Sequence, residues 1–323
     1  MIPTRLEKTE KNYAIKAMGI RSRAARAYGH DSPFSVPPLT VVEHLITRKP
    51  TIARNTWKQY KNSLRFHFEQ LASESNNKLD KEELQAAVQL LNATSSEGAL
   101  KYGTQTSSRK QKGVKRSDYE KLASYLDRHV GKHRYAGTLR TWLEATRITG
   151  LRPGEWEFAR LGERRGKQIL RIRNAKATNG RGNGEERSLD LTNLPAQDLD
   201  VLRDMVQLLE GYANEIGFAH LQKAVSDYMY AATRACFGKR KKYPSLYSMR
   251  HQFSADAKMS GNTKAEVAAL MGHASDDTAG NHYAPKASGH SVVNVAPLAP
   301  EVQRVRAKAR TFRPRHQQDG GSS

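Results

Sequence analysis

Apolar side chains recur at helical spacing through the first third of the chain. A short apolar stretch runs from Thr40 to Ile46, a longer one starts at Thr51 or Asn55, and a third covers residues 81–91. Side chains three and four residues apart share one face of a helix, so these stretches predict three amphipathic helices. The clearest apolar faces are formed by Trp57, Tyr60, Leu64 and Phe68, and by Leu84, Val88 and Leu91.

The pattern changes in the middle of the chain. Residues 168–173 and 187–191 alternate apolar and polar side chains, which is the period of a half-buried strand. The segment between them is rich in glycine and asparagine, so we expect a β-hairpin with a long, basic turn. Helical spacing resumes at residues 198–212, at 219–237, from about Ser248 and at 300–309. The predicted fold class is mainly α with a small β-sheet.

Breaks in this pattern divide the chain. Residues 31–38 contain three prolines, and residues 103–116 are polar and basic with no apolar face. The first 30 residues are rich in Arg, Lys and Ala, which fits a short helix, an arm or a disordered tail. We expect a basic N-terminal arm at 1–30, a helical domain at 31–105, a basic linker at 106–116, an α+β domain at 117–296 and a C-terminal tail at 297–323.

The charge balance points to a polyanionic partner. The 323 residues contain 54 Lys and Arg against 32 Asp and Glu, a formal net charge of +22. The excess is not confined to a tail, because residues up to Arg116 carry 21 basic and 10 acidic side chains and the remainder carry 33 and 22. A polyanion that runs along both domains fits this distribution, and nucleic acid is the usual one.

Several other classes of function lack their motifs. Cys236 is the only cysteine, so neither a disulfide framework nor a cysteine-rich zinc site can form, and we expect it to be a small buried residue. The histidines lack metal-site spacing, and there is no Gly-x-x-x-x-Gly-Lys phosphate loop. No apolar stretch approaches the ~20 residues that span a bilayer. We therefore predict no metal, no cofactor and no membrane, and a location in the cytoplasm, at the bacterial nucleoid.

Four short motifs stand in order along the second domain. They are Thr-Gly-Leu-Arg-Pro-Gly-Glu around Arg152, Met-Arg-His-Gln-Phe-Ser-Ala around Arg250, Leu-Met-Gly-His ending at His273, and His-Tyr ending at Tyr283. His273 follows Arg250 by 23 residues, and Tyr283 follows His273 by 10. In this order and spacing, the sequence resembles the catalytic domain of the tyrosine recombinases, the phage-integrase family. The resemblance covers residues 117–290.

The resemblance implies a role for each motif. Tyr283 would be the nucleophile that forms a 3′-phosphotyrosine bond with DNA. Arg152 and Arg250 would stabilise the charge of the phosphorane, since each guanidinium presents paired N–H groups and stays charged. Lys176, at the end of the first predicted strand, would protonate the leaving 5′-oxygen, with Lys167 as the fallback. His273 would bind a non-bridging phosphate oxygen or assist proton transfer.

One position departs from the family pattern. Tyr247 stands three residues before Arg250, where the family usually has His. A tyrosine hydroxyl can still donate a hydrogen bond to phosphate, but it is a poor proton shuttle near neutral pH because its ordinary pKa is about 10. We expect Glu155 and His251 to orient their neighbours. Some telomere resolvases of this family also carry Tyr at this position.

The resemblance also implies an architecture. A helical core-binding domain and an α+β catalytic domain would form a C-shaped clamp on double-stranded DNA, and four protomers would exchange strands through a Holliday junction. The segment after Tyr283 would dock on a neighbouring protomer, or would be a plain surface tail. An accessory DNA-binding protein is possible. The cations expected to contact DNA are Lys58, Lys61, Arg65, Arg109, Lys110, Lys112, Lys115 and Arg116.

Three functions are compatible with the sequence. The first is a site-specific recombinase that integrates or excises a mobile element, or resolves transposon cointegrates. The second is a strand transferase of the telomere-resolvase or type IB topoisomerase kind, which shares the phosphotyrosine chemistry. The third is a non-catalytic, sequence-specific DNA-binding regulator. A separate alternative concerns the aromatic residues of the first domain. Packing in the core explains Trp57, Tyr60 and Phe68 better than stacking on DNA bases does.

Overall fold

The computed structural model describes residues 7–100, 111–175, 182–275 and 285–312. It divides into two compact units, residues 1–106 and residues 107–323. In its described residues, the first unit contains the α-helices α1 Glu7–Ala27, α2 Pro38–Thr47, α3 Arg54–Glu74 and α4 Lys78–Ala93.

The three predicted helices of the first unit are present with shifted starts. The first begins at Pro38, two residues before the apolar stretch that starts at Thr40, because proline is preorganised for the first helical turn. The last begins at Lys78, where the Asn77 side chain accepts a hydrogen bond from the Leu79 N–H at 3.0 Å. Trp57 and Phe68 are fully buried, as expected for core residues.

Helix α1 replaces the arm expected over residues 1–30. It packs along α3, and its contact face consists of Ala17, Ile20, Ala24 and Ala25, all buried. Small side chains let two helices approach closely but give a weak apolar signal in the sequence, which hid this face. The α1 side chain of Arg21 is also buried, and its Nε donates to the carbonyl of Pro33 at 3.0 Å.

The second unit surrounds a small sheet with helices. Its helices are α5 Arg116–Asp127, α6 Ala136–Thr149, α7 Ala196–Glu215, α8 Phe218–Phe237, α9 Leu246–Met259, α10 Lys264–Leu270 and α11 Ala299–Phe312. Its strands are β1 Arg160–Arg164, β2 Lys167–Arg173, β3 Glu186–Asp190 and β4 Ala296–Pro297, in antiparallel order β1-β2-β3-β4.

Strand β1 has no counterpart in the predicted pattern. It is a largely exposed edge strand without a buried alternate face, so it carries no period-two signal. It joins β2 through Arg165 and Gly166, which both have positive φ, at 52° and 72°. Positive φ at both central residues is the requirement of a tight type I′ hairpin turn.

The ends of the second unit also differ from expectation. Residues 111–115, expected as linker, pack on this unit: Val114 is buried, and its N–H donates to Gln252 Oε1 at 3.0 Å. Helix α5 starts at Arg116, the last residue of the expected linker. The expected tail contains α11, whose Val302 and Val305 pack against α10.

Candidate active site

The turn after α6 brings the first motif into the core. Gly150 ends the helix with φ of +67°, and a Cβ there would lie 2.2 Å from Phe253 Cδ1, so both the backbone angle and the packing require glycine. A short 3-10 helix, Pro153–Phe158, follows. Glu155 in this turn is buried, and its Oε2 accepts the backbone N–H of Arg152 at 2.8 Å.

Glu155 is the centre of a buried charge cluster. Its Oε1 accepts from Arg152 Nη1, and its Oε2 accepts from Arg187 Nη2 at 2.9 Å and lies 3.5 Å from Arg250 Nη1. Arg152 lies at a turn, yet only 7% of it is exposed. We call Arg152, Glu155, Arg187 and Arg250 the arginine cluster.

Arg250 enters the cluster from α9 and is fully buried. Its Nη1 donates to the carbonyl of Gly150 at 2.6 Å, and its Nη2 donates to the carbonyl of Met271. Arg250 therefore ties the turn after α6 to the turn after α10. Residues 100 positions apart in sequence meet only because the fold joins these two turns.

His273 lies beside Arg250 in the turn after α10. Its Nε2 is 3.3 Å from Arg250 Nη2, and only 3% of the residue is exposed. An arginine cannot accept a hydrogen bond, so Nε2 must be the acceptor and the ring proton must be on Nδ1. Burial, together with the charges of Arg250, Arg152 and Arg187, holds the pKa of His273 well below its usual range. His273 is thus a neutral imidazole whose Nδ1–H is a donor.

The charge on Glu155 is stabilised by its neighbours. Burial alone would raise the pKa of this carboxyl, but the charges of Arg187, Arg250 and Arg152 together outweigh burial and hold its pKa well below the usual range. One carboxylate is surrounded by three guanidiniums, so the arginine cluster keeps a net positive charge. Such a cluster is suited to a phosphate dianion or to the developing charge of a phosphorane.

Tyr247 lies one helical turn before Arg250 on α9 and is half-buried. Its ring packs edge-on against His251, with 5.2 Å between the ring centroids. Burial and the nearby charges of Lys112, Arg250 and Lys258 lower the pKa of His251 to about 4, so this ring is neutral at neutral pH. Tyr247 also lines a cavity of about 850 Å³ together with Pro153, Tyr230 and Arg234.

The fold has a counterpart among solved structures. The chain is similar to a crystal structure of a lambda integrase(75-356) dimer bound to a COC' core site, with a TM-score of 0.55 and 15% sequence identity. The similarity covers 90% of this chain and 94% of that chain. The chain has the tyrosine recombinase fold.

Other solved structures show the same likeness more weakly. A post-cleavage complex of the XerH site-specific recombinase with a palindromic difH substrate has a TM-score of 0.47 and 16% identity, and covers 88% of this chain and 76% of that one. No protein-family model matches the sequence, and no curated protein matches it.

Two residues that the family resemblance makes central, Lys176 and Tyr283, lie outside the described residues. The described residues on either side of the loop that contains Lys176 contact the site. The N–H of Ala175 is 3.4 Å from Glu155 Oε1, and Gly182 forms an isolated β-bridge with His273. In this tyrosine recombinase fold, both described ends of the hairpin loop therefore reach the arginine cluster or His273.

The fallback Lys167 lies at the opposite end of β2. Seven residues of strand span roughly 20 Å. Its Nζ pairs with Asp190 Oδ2 at 2.6 Å. The strand therefore directs residue 175, and not Lys167, towards Glu155.

Arg187 was missed in the sequence. It lies on β3 opposite Ile172 and is fully buried. The signal was available: Arg187, Leu189 and Leu191 are spaced as inward-facing strand positions, and an arginine at such a position requires a partner inside the protein. Alternation alone does not identify that partner, because Glu155 is 32 residues away in sequence.

The cations expected to bind DNA are in different settings. Lys58 is exposed, whereas Lys61 donates to the carbonyls of Asn92 and Thr94 and Arg65 is 3.6 Å from Glu69. In the second unit, Lys112 is half-buried and Lys115 and Arg116 are exposed, while Arg109 and Lys110 lie outside the described residues.

The remaining sequence predictions concern sites other than the cluster. Cys236 is half-buried, and burial raises the pKa of its thiol. Within the described ranges, no group of three or more His, Cys, Asp or Glu side chains is arranged to hold a metal ion. In the same ranges, every helix is too short or too polar to cross a membrane.

Proposed function

We propose that this protein is a site-specific DNA recombinase that breaks and rejoins DNA through a 3′-phosphotyrosine intermediate. The observation that carries the proposal is the arginine cluster with His273 beside it. Two arginines and a histidine from three separate sequence motifs share one buried site around Glu155. Core packing does not explain two buried arginines, because burying a cation is costly.

The proposed reaction is a transesterification. The Tyr283 oxygen attacks phosphorus and loses its proton to solvent, the bond to the 5′-oxygen breaks, and that oxygen takes a proton from Lys176. Arg152 and Arg250 bind the non-bridging oxygens, where charge develops. The phosphotyrosine bond conserves the energy of the phosphodiester, so a 5′-hydroxyl from a second strand can reverse the step without ATP.

His273 and Tyr247 have narrower roles in this scheme. Because His273 is neutral with its proton on Nδ1, it donates a hydrogen bond to a phosphate oxygen and does not act as a charged acid. Tyr247 donates a hydrogen bond from its hydroxyl to a second oxygen. Glu155 and His251 orient the groups around them.

The partner is double-stranded DNA that carries a specific recombination site. The similar lambda integrase structure is a dimer bound to a core site. We propose that this chain also assembles on DNA, as a homotetramer on two sites, with strand exchange through a Holliday junction. The net charge of +22 supplies the phosphate contacts along both units.

The reaction product tests this function against its alternatives. Purified protein is incubated with a plasmid that carries two copies of the DNA flanking its gene, and the products are resolved by electrophoresis. We expect recombined duplexes. Hairpin ends would instead indicate a telomere resolvase, relaxed circles alone a topoisomerase-like enzyme, and tight binding with no strand breakage a DNA-binding regulator.

A further inference from the structure

Arg187 connects three separate segments of the second unit. Its Nε donates to the carbonyl of Leu270 at 3.0 Å, its Nη1 donates to Asn174 Oδ1, and its Nη2 donates to Glu155 Oε2 at 2.9 Å. All three nitrogens of one planar guanidinium are used, and the side chain is completely buried. Every nitrogen of the Arg187 guanidinium is therefore bound to an acceptor within the protein.

Each acceptor stands just before or beside a proposed catalytic residue. Leu270 ends α10 and is followed by the turn that carries His273. Asn174 is two residues before Lys176, and its Nδ2 also donates to the carbonyl of Gly184 on the other side of the hairpin. Glu155 binds Arg152. One rigid group thus fixes the relative positions of three catalytic segments.

The turn before His273 is shaped around this contact. Gly272 has φ of +64°, and a Cβ there would lie 2.5 Å from Asn174 Oδ1 and 2.7 Å from Arg187 Nη1. The backbone of the turn therefore packs directly on the guanidinium and its amide partner. Only glycine therefore fits at position 272.

Stability alone does not account for an arginine at this position. The next inward-facing residue on β3 is Leu189, and replacing a whole buried ion pair with apolar residues of similar volume is often neutral or stabilising. We propose that Arg187 is a positioning residue for DNA cleavage: it orients Glu155 toward Arg152 and holds the hairpin and the His273 turn in register. This inference rests on the proposed function.

The test compares binding with cleavage in the full-length protein. Arg187→Met is measured for its affinity for a nicked target duplex and for its rate of covalent adduct formation at saturating DNA. Misplacing catalytic groups by about 1 Å costs on the order of 100-fold in rate, so we expect a loss of that size with DNA affinity within about threefold of the wild type. A residue that only stabilised the fold would lower the melting temperature and leave the rate of the folded protein unchanged.

Two further variants keep the test decisive. Arg187→Lys retains the charge, but a lysine cannot reach the three acceptors at once. We therefore expect it to form the adduct at least about tenfold more slowly than the wild type. It replaces Arg187→Met in the test if that variant does not fold. Arg21→Met is the matched control, because it removes another buried guanidinium from the first unit. We expect the control to cleave at the wild-type rate.

The possible failures are distinguishable. A folded Arg187→Met or Arg187→Lys protein that cleaves as fast as the wild type overturns the inference and leaves the proposed function intact. Equal loss in Arg21→Met also overturns it, because the effect would then not belong to this site. A wild-type protein that forms no adduct on its target overturns the proposed function, and the inference with it.

Discussion

At the residue scale, the site depends on one buried carboxylate among three guanidiniums. Arg152 and Arg250 could be predicted from the sequence because they belong to short motifs in a fixed order. Arg187 could not be assigned, because its role depends on partners that the chain brings from 13, 32 and 83 residues away. Local patterns carry no information about such contacts.

Glu155 should make stability depend on pH in a specific direction. The pKa of its carboxyl is lowered on folding, so ionised Glu155 stabilises the fold fully above its ordinary pKa of 4.5, and this contribution is lost as pH falls below that value. Glu155→Gln leaves buried cations without their anion and should cost about 3–5 kcal/mol at pH 7. The gap in unfolding free energy between the variant and the wild type should shrink below pH 4.5.

Chemical unfolding of the full chain at several pH values checks this prediction. Glu82→Gln is the control, since Glu82 forms only an exposed ion pair with Lys78 and such pairs contribute about 0–1 kcal/mol. A gap for Glu155→Gln that stays constant or widens on acidification would contradict the proposed role of the arginine cluster in holding Glu155 ionised.

At the element scale, the helices and strands with strong apolar periodicity were predicted near their observed positions. Helices α3, α4, α7 and α8 and strands β2 and β3 lie within a few residues of their predicted positions. Helix α1 was only one of three alternatives and strand β1 was not predicted, because neither has a strongly apolar face: one packs through alanines and the other is an exposed edge. In the segment that was expected to dock on a neighbouring protomer or to form a surface tail, Val295 is buried in its own unit and Val292 is 71% exposed.

Helix α11 should depend on Glu301 for its attachment to the sheet. Glu301 is buried, its Oε1 accepts the N–H of Ser188 at 2.7 Å, and its own carbonyl accepts from Asn183 Nδ2 at 2.8 Å. Glu301→Ala leaves the Ser188 N–H without this acceptor and should cost about 1–3 kcal/mol. Hydrogen exchange should show faster exchange in α11 and at Ser188.

A variant on the same helix is the control for this prediction. Gln303→Ala changes an exposed position on the same helix and should leave exchange in α11 as it is in the wild type. Unchanged exchange in Glu301→Ala would mean that Val302 and Val305 attach the helix without help from the carboxylate.

At the scale of the whole molecule, the excess of basic charge and the order of the motifs predicted more than any single element. The positive charge is spread along both units, and Arg152 and Arg250 lie 98 residues apart in the sequence before the fold brings them together around Glu155. The tyrosine recombinase fold brings these residues together because it joins the turn after α6, the hairpin and the turn after α10. Tyr283 remains a prediction from sequence.

The central claim is therefore that Tyr283 becomes covalently bonded to DNA. The most direct measurement is adduct formation on a nicked duplex that carries the target site, with chelator present, for the wild type, Tyr283→Phe and Tyr247→Phe. We predict an adduct in the wild type, none in Tyr283→Phe, and a slower but detectable adduct in Tyr247→Phe. An adduct that survives Tyr283→Phe and disappears in Tyr247→Phe would contradict the account.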